Sequence, residues 1–272
     1  MFSPIVLSAH NPGPMTGSGN NTYLLVGRSG SATLIDAGVG DARHLADLDA
    51  ALRQHHARLD RVVVTHGHRD HAAGAPALAS AHPHARYLKH PWPSEDAQYA
   101  ITWQSIEEGD VLTAGDDELV ALHTPGHSPD HFAFHHEPSG TIFSGDLVTA
   151  GSSVMIHTSR GGNLAQYLAS LERLLTLNPR VLLPAHGARV DDPQRIISEY
   201  LEHRRMRERQ VIEALTAGHG TVQAIAESIY DGLDPALMAA ARENVRAHLD
   251  KLVAEGHAIV EGDRWRLQAW TR

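Results

Sequence analysis

The stretch Thr65-His66-Gly67-His68-Arg69-Asp70-His71 is unusually rich in side chains that can bind metal. It follows directly on the apolar run Arg61-Val62-Val63-Val64, whose β-branched residues are typical of a buried strand. Open α/β architectures place their chemistry at the C-terminal tips of such strands. The sequence therefore puts four side chains that can bind metal within six residues, at one predicted strand tip.

The spacing of these side chains suits metal ions. His66 and His68 can point two imidazoles at one cation, while Asp70 and His71 can face a neighbouring cation. Zinc and similar borderline metals favour clusters of imidazole and carboxylate. A solvated polar loop in a histidine-rich chain is the alternative, and it explains the cluster less well.

Composition limits the chemistry further. The chain has 272 residues, enough for one large domain or for a medium domain and a small one. It contains 21 histidines and no cysteine, which excludes disulfides and a thiolate nucleophile, so any metal must be held by nitrogen and oxygen. A formal net charge of −9 argues against a protein that simply coats nucleic acid.

The N-terminal sequence, Met1 to Ser8, lacks the basic region of a secretory signal, and no apolar run is long enough to cross a membrane. We therefore expect a cytoplasmic enzyme with no membrane partner.

Strands and helices alternate over the first two thirds of the chain. Gly- and Asn-rich turns separate the predicted strands, and leucine spacing predicts helices over about 41–56 and after Asn163, which can cap its helix. This order indicates a layered α/β domain. The predicted strands include Tyr23–Val26, Ala32–Asp36, Val120–Leu122, Phe132–Phe134, Thr141–Phe143 and Val181–Leu183.

Three further predicted strands resemble the one before His66: each is an apolar run followed by one candidate metal ligand. Small residues or proline provide the sharp turns at these points. Each histidine alone is more often structural, but four strand tips with metal-binding side chains are hard to explain otherwise. The three segments are Thr124-Pro125-Gly126-His127, Ser144-Gly145-Asp146 and Pro184-Ala185-His186-Gly187.

The pattern changes from about Asp192 onwards. A long charged helix is predicted over Pro193–Leu215, a second helix begins at Thr221, and a third covers Pro235–Ala254. A hairpin turned by Glu261-Gly262-Asp263 follows. Three helices and a two-stranded wing are typical of a winged helix.

These motifs resemble the metallo-β-lactamase superfamily. The resemblance rests on His66-x-His68-x-Asp70-His71 with the three later segments, and it covers the N-terminal two thirds of the chain. The segments Asn11–Thr16 and Asn21–Leu24, together with the C-terminal winged helix, resemble the β-lactamase-like protein 2 subgroup.

The resemblance implies an αββα sandwich over residues 1–198 and a small winged-helix-like domain over residues 199–272. It also implies two Zn²⁺ per chain, with Mn²⁺ or Fe²⁺ as alternatives, and a supporting role for Asp36. Asp146 would bridge the two ions. One ion would be bound by His66, His68 and His127, and the other by Asp70, His71 and His186.

Two metal ions held close together can activate a shared water, so the resemblance implies a hydrolase. Asp70 could also orient the resulting hydroxide, and it is the one residue that we expect to be catalytic besides binding metal. The resemblance favours phosphodiester bonds in single-stranded RNA as the substrate. The alternatives are a thioesterase or acyl hydrolase acting on a small molecule or carrier and, ranked lower, a DNA-binding regulator with a ligand-sensing metal domain.

The residue that protonates the leaving group is left open by the sequence. Candidates are His131, His157 and the pair Ser152-Ser153, each of which could equally be structural. Ser144 lacks the Gly-x-Ser-x-Gly context of a nucleophile, so direct attack by water is expected.

Charge in the C-terminal module does not favour DNA. Residues 200–272 hold 10 Lys/Arg and 11 Asp/Glu, so the module has no basic surface on average and predicts no double-stranded DNA partner. Arg204, Arg205, Arg207 and Arg209 are interpreted as a solvated helix face. The module could instead line the metal cleft or form a homodimer contact.

Overall fold

Two β-sheets pack face to face in the computed structural model of this chain, which describes residues 2–13, 16–149 and 153–268. The first sheet has six strands in sequence order; β1 to β3 pair antiparallel and β3 to β6 pair parallel. Its strands are β1 (Ile5–Ser8), β2 (Asn21–Val26), β3 (Ser31–Ile35), β4 (Arg58–Val63), β5 (Arg86–Lys89) and β6 (Trp103–Ser105).

The second sheet has five strands in the order β11-β10-β9-β8-β7. Only β10 and β11 pair parallel, and the other neighbours are antiparallel. Its strands are β7 (Val111–Ala114), β8 (Asp117–His123), β9 (Phe132–His136), β10 (Thr141–Gly145) and β11 (Val181–Pro184). Each strand predicted above is present.

Eight α-helices cover the sheets and form the C-terminal part of the described chain. They are α1 (Ala42–Gln54), α2 (Arg69–Ala72), α3 (Ala75–Ala81), α4 (Pro93–Asp96), α5 (Leu164–Thr176), α6 (Pro193–Thr216), α7 (Val222–Ile229) and α8 (Met238–Ala254). Short 3-10 helices occur at Glu137–Ser139, Thr158–Arg160 and Pro235–Leu237.

The valine run is buried on both of its faces. Val62 and Val64 pack in the layer that contains Leu48 of α1, whereas Val63 packs between the sheets against residues such as Phe134. A strand covered on both sides has a continuous apolar sequence. Helices α1 and α3 cover the outer face of the first sheet, and α5 with the first half of α6 covers the second. The predicted αββα sandwich is confirmed.

The C-terminal unit consists of the second half of α6, helices α7 and α8, and the hairpin β12 (Ala258–Glu261) and β13 (Arg264–Leu267). It has its own core. Helix α6 passes through the predicted boundary at 198/199: Ile197 packs in the sandwich and Val211 in the C-terminal unit. The division of the chain at that position stays a prediction.

The interpretation of the α6 arginines as one solvated face is wrong for Arg204. Its side chain is 1% exposed and donates to the Asn244 side-chain oxygen and the Val154 carbonyl. Arg205 and Arg209 are exposed, as expected. Arg204 points inward because the helix faces the sandwich on one side, and Arg207 is partly buried against the Tyr230 ring.

Candidate metal centre

The topology brings the predicted strand tips to one edge of the sandwich. Strands β3 and β4 are parallel, and so are β10 and β11. Strand β8 runs in the same direction as β10 because both are antiparallel to β9. The loops after these strands therefore meet, and they bring together all seven predicted ligands: His66, His68, Asp70, His71, His127, Asp146 and His186.

His66, His68 and His127 form the first group. Their donor atoms lie within 4.8 Å of one another, and His68 Nδ1 is 2.9 Å from both His66 Nε2 and His127 Nε2. A ring nitrogen carries one hydrogen or one lone pair, so His68 Nδ1 cannot satisfy both neighbours by hydrogen bonding. A shared cation would satisfy all three, and the donor set therefore fits a metal ion.

Asp70, His71 and His186 form the second group. The Oδ2 atom of Asp70 is 3.5 Å from His71 Nε2 and 3.3 Å from His186 Nε2. Nitrogen and oxygen donors of this kind suit zinc and similar divalent ions. This group fits a second ion.

Asp146 lies between the two groups. Its Oδ2 is 3.5 Å from His127 Nε2, while its Oδ1 is 3.4 Å from His71 Nε2 and 3.3 Å from His186 Nε2. Oδ1 is buried and has no well-aligned hydrogen-bond partner among the described residues. One oxygen facing each group is the arrangement that a bridging carboxylate requires.

The electrostatics differ between the two groups. Burial, helped by the neighbouring His127, lowers the pKa of His68 to about 3, so its ring is neutral and has a free lone pair. Burial also opposes protonation of His186, but the carboxylates of Asp146 and Asp70 outweigh it and raise its pKa to about 9. In the second group, the negative charge of the carboxylates is therefore balanced either by a proton on the histidine or by a bound cation.

Asp36 supports the centre from behind. Its Oδ2 accepts from His71 Nδ1 at 2.8 Å, and its Oδ1 accepts the Thr65 N–H at 2.8 Å. Because the His71 Nδ1–H donates to this carboxylate, Nε2 is left free to face Asp70 and Asp146. Asp36 adopts a φ of 63°, a left-handed conformation that is uncommon outside glycine.

His131 has a structural role rather than an acidic one. Its Nε2 accepts the Asp146 N–H at 3.0 Å, and its Nδ1 is 2.9 Å from Thr124 Oγ1. The side chain is fully buried, and burial keeps its pKa well below the usual range. It therefore stays neutral, with its one N–H facing Thr124 and not the cleft, and it is not placed to protonate a leaving group.

A buried ion pair holds Gly67, between the first two histidines, and the sequence gives little sign of it. Asp130 accepts the Gly67 N–H at 2.7 Å and pairs with Lys89 at 2.8 Å. Tyr99 donates to the Gly67 carbonyl at 3.1 Å. Lys89 ends the short strand β5, which the sequence does not predict, so no local pattern marks its burial.

A cleft of about 1040 Å³ opens onto the candidate centre. His157 and Ser153, two of the proposed proton donors, line it, while Ser152 lies outside the described residues. The C-terminal unit contributes to the wall through Ala240 and the preceding 3-10 residue Leu237. Apolar and aromatic side chains also line the cleft, namely Trp92, Tyr99, Val154 and Met155.

Buried histidines and carboxylates, gathered at the strand tips of an αββα sandwich and opening into a cleft, are typical of metal-dependent hydrolases. Comparison with known proteins gives the family. The sequence model of the metallo-beta-lactamase superfamily matches residues 15–186, and the beta-lactamase associated winged helix domain matches residues 221–265. The chain belongs to the metallo-beta-lactamase superfamily and carries this winged helix.

Individual relatives agree with this assignment. A beta-lactamase-like protein 2 homolog of Drosophila melanogaster is 31% identical over 258 residues, which cover 90% of this chain and 86% of that protein. An atrochrysone carboxyl ACP thioesterase of Aspergillus fumigatus is 34% identical over 210 residues. That match covers 75% of this chain but only 62% of the thioesterase, so the chain spans less than two thirds of that relative.

The fold has a match in a solved structure over nearly its whole length. A metallo-beta-lactamase family protein from Thermus thermophilus superposes with a TM-score of 0.79 at 21% identity, and the match covers 97% of this chain and 98% of that one. Among the described residues, no helix combines the length and apolar character that crossing a bilayer requires.

Proposed function

We propose that the seven side chains bind two divalent metal ions, with zinc the best fit, and that the protein hydrolyses thioesters or related acyl bonds. The observation that carries the metal proposal is Asp146, whose two carboxylate oxygens each face one group of donors. Two ions bound by these side chains would supply an activated water and would polarise the oxygen of the bond that is cut.

Two side chains in the cleft are placed to orient the attacking water and to protonate the leaving group. Asp70 lines the cleft and is partly exposed, so its carboxylate is placed to orient the attacking water. His157 lines the same cleft; partial burial lowers its pKa, and the Glu243 carboxylate, 3.9 Å from its Nδ1, opposes that shift. Of the proton donors proposed from the sequence, His157 is the better placed for the leaving group.

The cleft lining favours an acyl substrate. Trp92, Val154, Met155 and Leu237 offer apolar surface beside the donors, and burying an acyl chain against such surface contributes about 25 cal/mol per Å². The thioesterase relative supports the same class. This reverses the order expected from the sequence, in which RNA came first.

Hydrolysis of phosphodiesters is the second candidate. Arg69 and Arg160 line the cleft and could hold phosphates, and Trp92 could stack on a base. A DNA-binding regulator is the weakest candidate, because α8, the helix that such a module would insert into the major groove, packs on the sandwich through Ala247.

Parallel assays on the metal-loaded protein distinguish these candidates. The substrates are an acyl thioester, bis(p-nitrophenyl) phosphate and a single-stranded RNA, each also tested with an Asp70→Asn variant. We expect the thioester to be turned over fastest and the variant to lose most of that activity. Turnover confined to the phosphodiesters would contradict the acyl proposal. If none of the three substrates is hydrolysed, the proposed hydrolase function is contradicted as a whole.

A further inference from the structure

Arg204 is a buried cation with neutral partners. Its Nη1 donates to the Asn244 side-chain oxygen at 2.5 Å, its Nη2 donates to the Val154 carbonyl, and its guanidinium lies 5.5 Å from the Tyr167 ring centroid. Its Nε has no hydrogen-bond partner among the described residues. Burying an arginine is costly, and an apolar side chain would fill the same space more favourably.

The Val154 carbonyl connects Arg204 to the candidate metal centre. The next residue, Met155, accepts the His127 Nδ1–H through its own carbonyl at 3.0 Å. This bond leaves the Nε2 lone pair of His127 facing His68 and Asp146. The orientation of His127 therefore depends on where residues 154–155 are held.

The C-terminal unit holds the other end of the connection. Asn244 of α8 orients its amide by donating to the Tyr230 hydroxyl oxygen at 2.9 Å, and its oxygen is thereby directed at Arg204. Tyr230 in turn packs under Arg207, whose guanidinium is 4.5 Å from the ring centroid. The planar, many-donor guanidinium of Arg204 joins α8 to the loop, which a point charge or an apolar side chain could not do.

We propose that Arg204 is a positioning residue for the metal centre: it fixes the carbonyls of residues 154–155 and so orients His127, with Asn244 of the C-terminal unit holding the guanidinium in place. The inference rests on the proposed metal function. It gives the C-terminal unit a role in metal binding, in addition to its contribution to the cleft wall.

Cobalt binding tests the inference. Co²⁺ is titrated into metal-free protein against a competing chelator while its visible absorption reports the ligand geometry. We expect Arg204→Met to weaken the ion bound by the His127 group by about tenfold and to change its absorption. This is the lower end of the loss typical for an outer partner of a metal-binding histidine, because Arg204 acts on His127 through residues 154–155. Arg205→Met, an exposed neighbour on α6, is the matched control and should bind Co²⁺ as the unmodified chain does.

Asn244→Leu keeps the test decisive if Arg204→Met does not fold, because it leaves α6 unchanged and removes the acceptor of Arg204 together with the bond to Tyr230. We expect it to weaken the same ion, by a smaller factor. If each folded variant binds Co²⁺ with the affinity and absorption of the unmodified chain, the role of Arg204 is overturned while the proposed function stands. An unmodified chain that takes up no Co²⁺ would overturn the proposed function and the inference with it.

Discussion

At the scale of single residues, a buried ion pair holds the loop that carries the first two histidines. Lys89 pairs with Asp130 and with Asp96, at 2.8 Å in each case, and neither Lys89 nor Asp130 exposes its side chain. The Asp130 oxygen that faces Lys89 also accepts the Gly67 N–H. The charge pair and the loop geometry are therefore linked.

We expect Lys89→Met to lower the free energy of unfolding by about 3–5 kcal/mol, because it leaves Asp130 buried without a counter-charge. Urea denaturation measures the change. Adding Asp130→Asn to the same chain should recover much of the loss, since the uncompensated charge is then removed. A loss below about 1 kcal/mol in the single variant would show that the buried ion pair contributes little to stability.

The sequence signals some site residues much more clearly than others. His127, Asp146 and His186 each follow an apolar run, so their position at a strand tip can be predicted locally. Lys89 and Asp130 have no such local signal, because their importance comes from a contact between segments 41 residues apart. Which ring nitrogen faces the centre likewise depends on distant partners.

At the scale of elements, the loop before His127 approaches helix α5 without room for a side chain. Gly126 has a φ of +129°, and a Cβ built there would lie 2.1 Å from the Tyr167 backbone nitrogen. Asn163, which caps α5, donates its N–H to the Gly126 carbonyl. The contact between Gly126 and the start of α5 therefore also fixes the position of the neighbouring His127.

We expect Gly126→Ala to lower the free energy of unfolding by about 4 kcal/mol or more, because both the backbone conformation and the space exclude a side chain. Thermal denaturation measures the loss. Gly109→Ala is the matched control: its φ is +83° with open space around it, so only about 1–2 kcal/mol of backbone strain is expected. Similar losses in both variants would contradict the steric account.

Helix α1 packs on the first sheet through a buried histidine. His44 is fully buried, its Nε2 is 2.8 Å from Thr22 Oγ1 of β2, and burial lowers its pKa to about 4. The unfolded chain has the ordinary value of about 6.5. As pH falls from 6.5 towards 4, the unfolded chain takes up a proton that the folded chain does not, and stability falls.

We expect this histidine to cost about 3 kcal/mol of stability by pH 4, relative to pH 7. His44→Gln keeps a polar partner for Thr22 and does not titrate, so its stability should fall less over the same range. The measurement is urea denaturation of both chains at intervals from pH 7 to 4. Parallel pH curves for the two chains would contradict the assignment.

The elements predicted from the sequence are those with a strong period or a clear cap. The caps at Asn163 and Thr221 and the wing hairpin all lie where the pattern indicates. Strands β1, β5, β6 and β7 are not predicted, because each is only three or four residues long and shows no period of its own. Such strands are defined by their neighbours in the sheet.

At the scale of the whole molecule, two units share one cleft. Leu237 of the C-terminal unit lines the cleft although it is 53% exposed. An exposed leucine beside the candidate metal ligands of the sandwich is explained if its side chain contacts the substrate. The sequence could suggest that the module lines the cleft, but the residue involved depends on how the units pack.

We expect Leu237→Asp to raise KM for an apolar acyl thioester by about tenfold, with a smaller effect on kcat, because it removes apolar contact away from the donors. Steady-state kinetics over a series of acyl chain lengths measures the change. Val260→Asp, an exposed position on the wing outside the cleft lining, is the control. Equal KM values in the two variants would contradict a substrate contact at Leu237.

The number of metal ions per chain shows whether Asp146 bridges two of them. After reconstitution with Zn²⁺ and removal of unbound metal, elemental analysis should find about two ions per folded chain. Asp146→Ala should lose at least one of them while His44→Gln keeps both. A folded, unmodified chain that retains no zinc, or an Asp146→Ala variant that retains the full amount, would contradict a two-ion site bridged by Asp146.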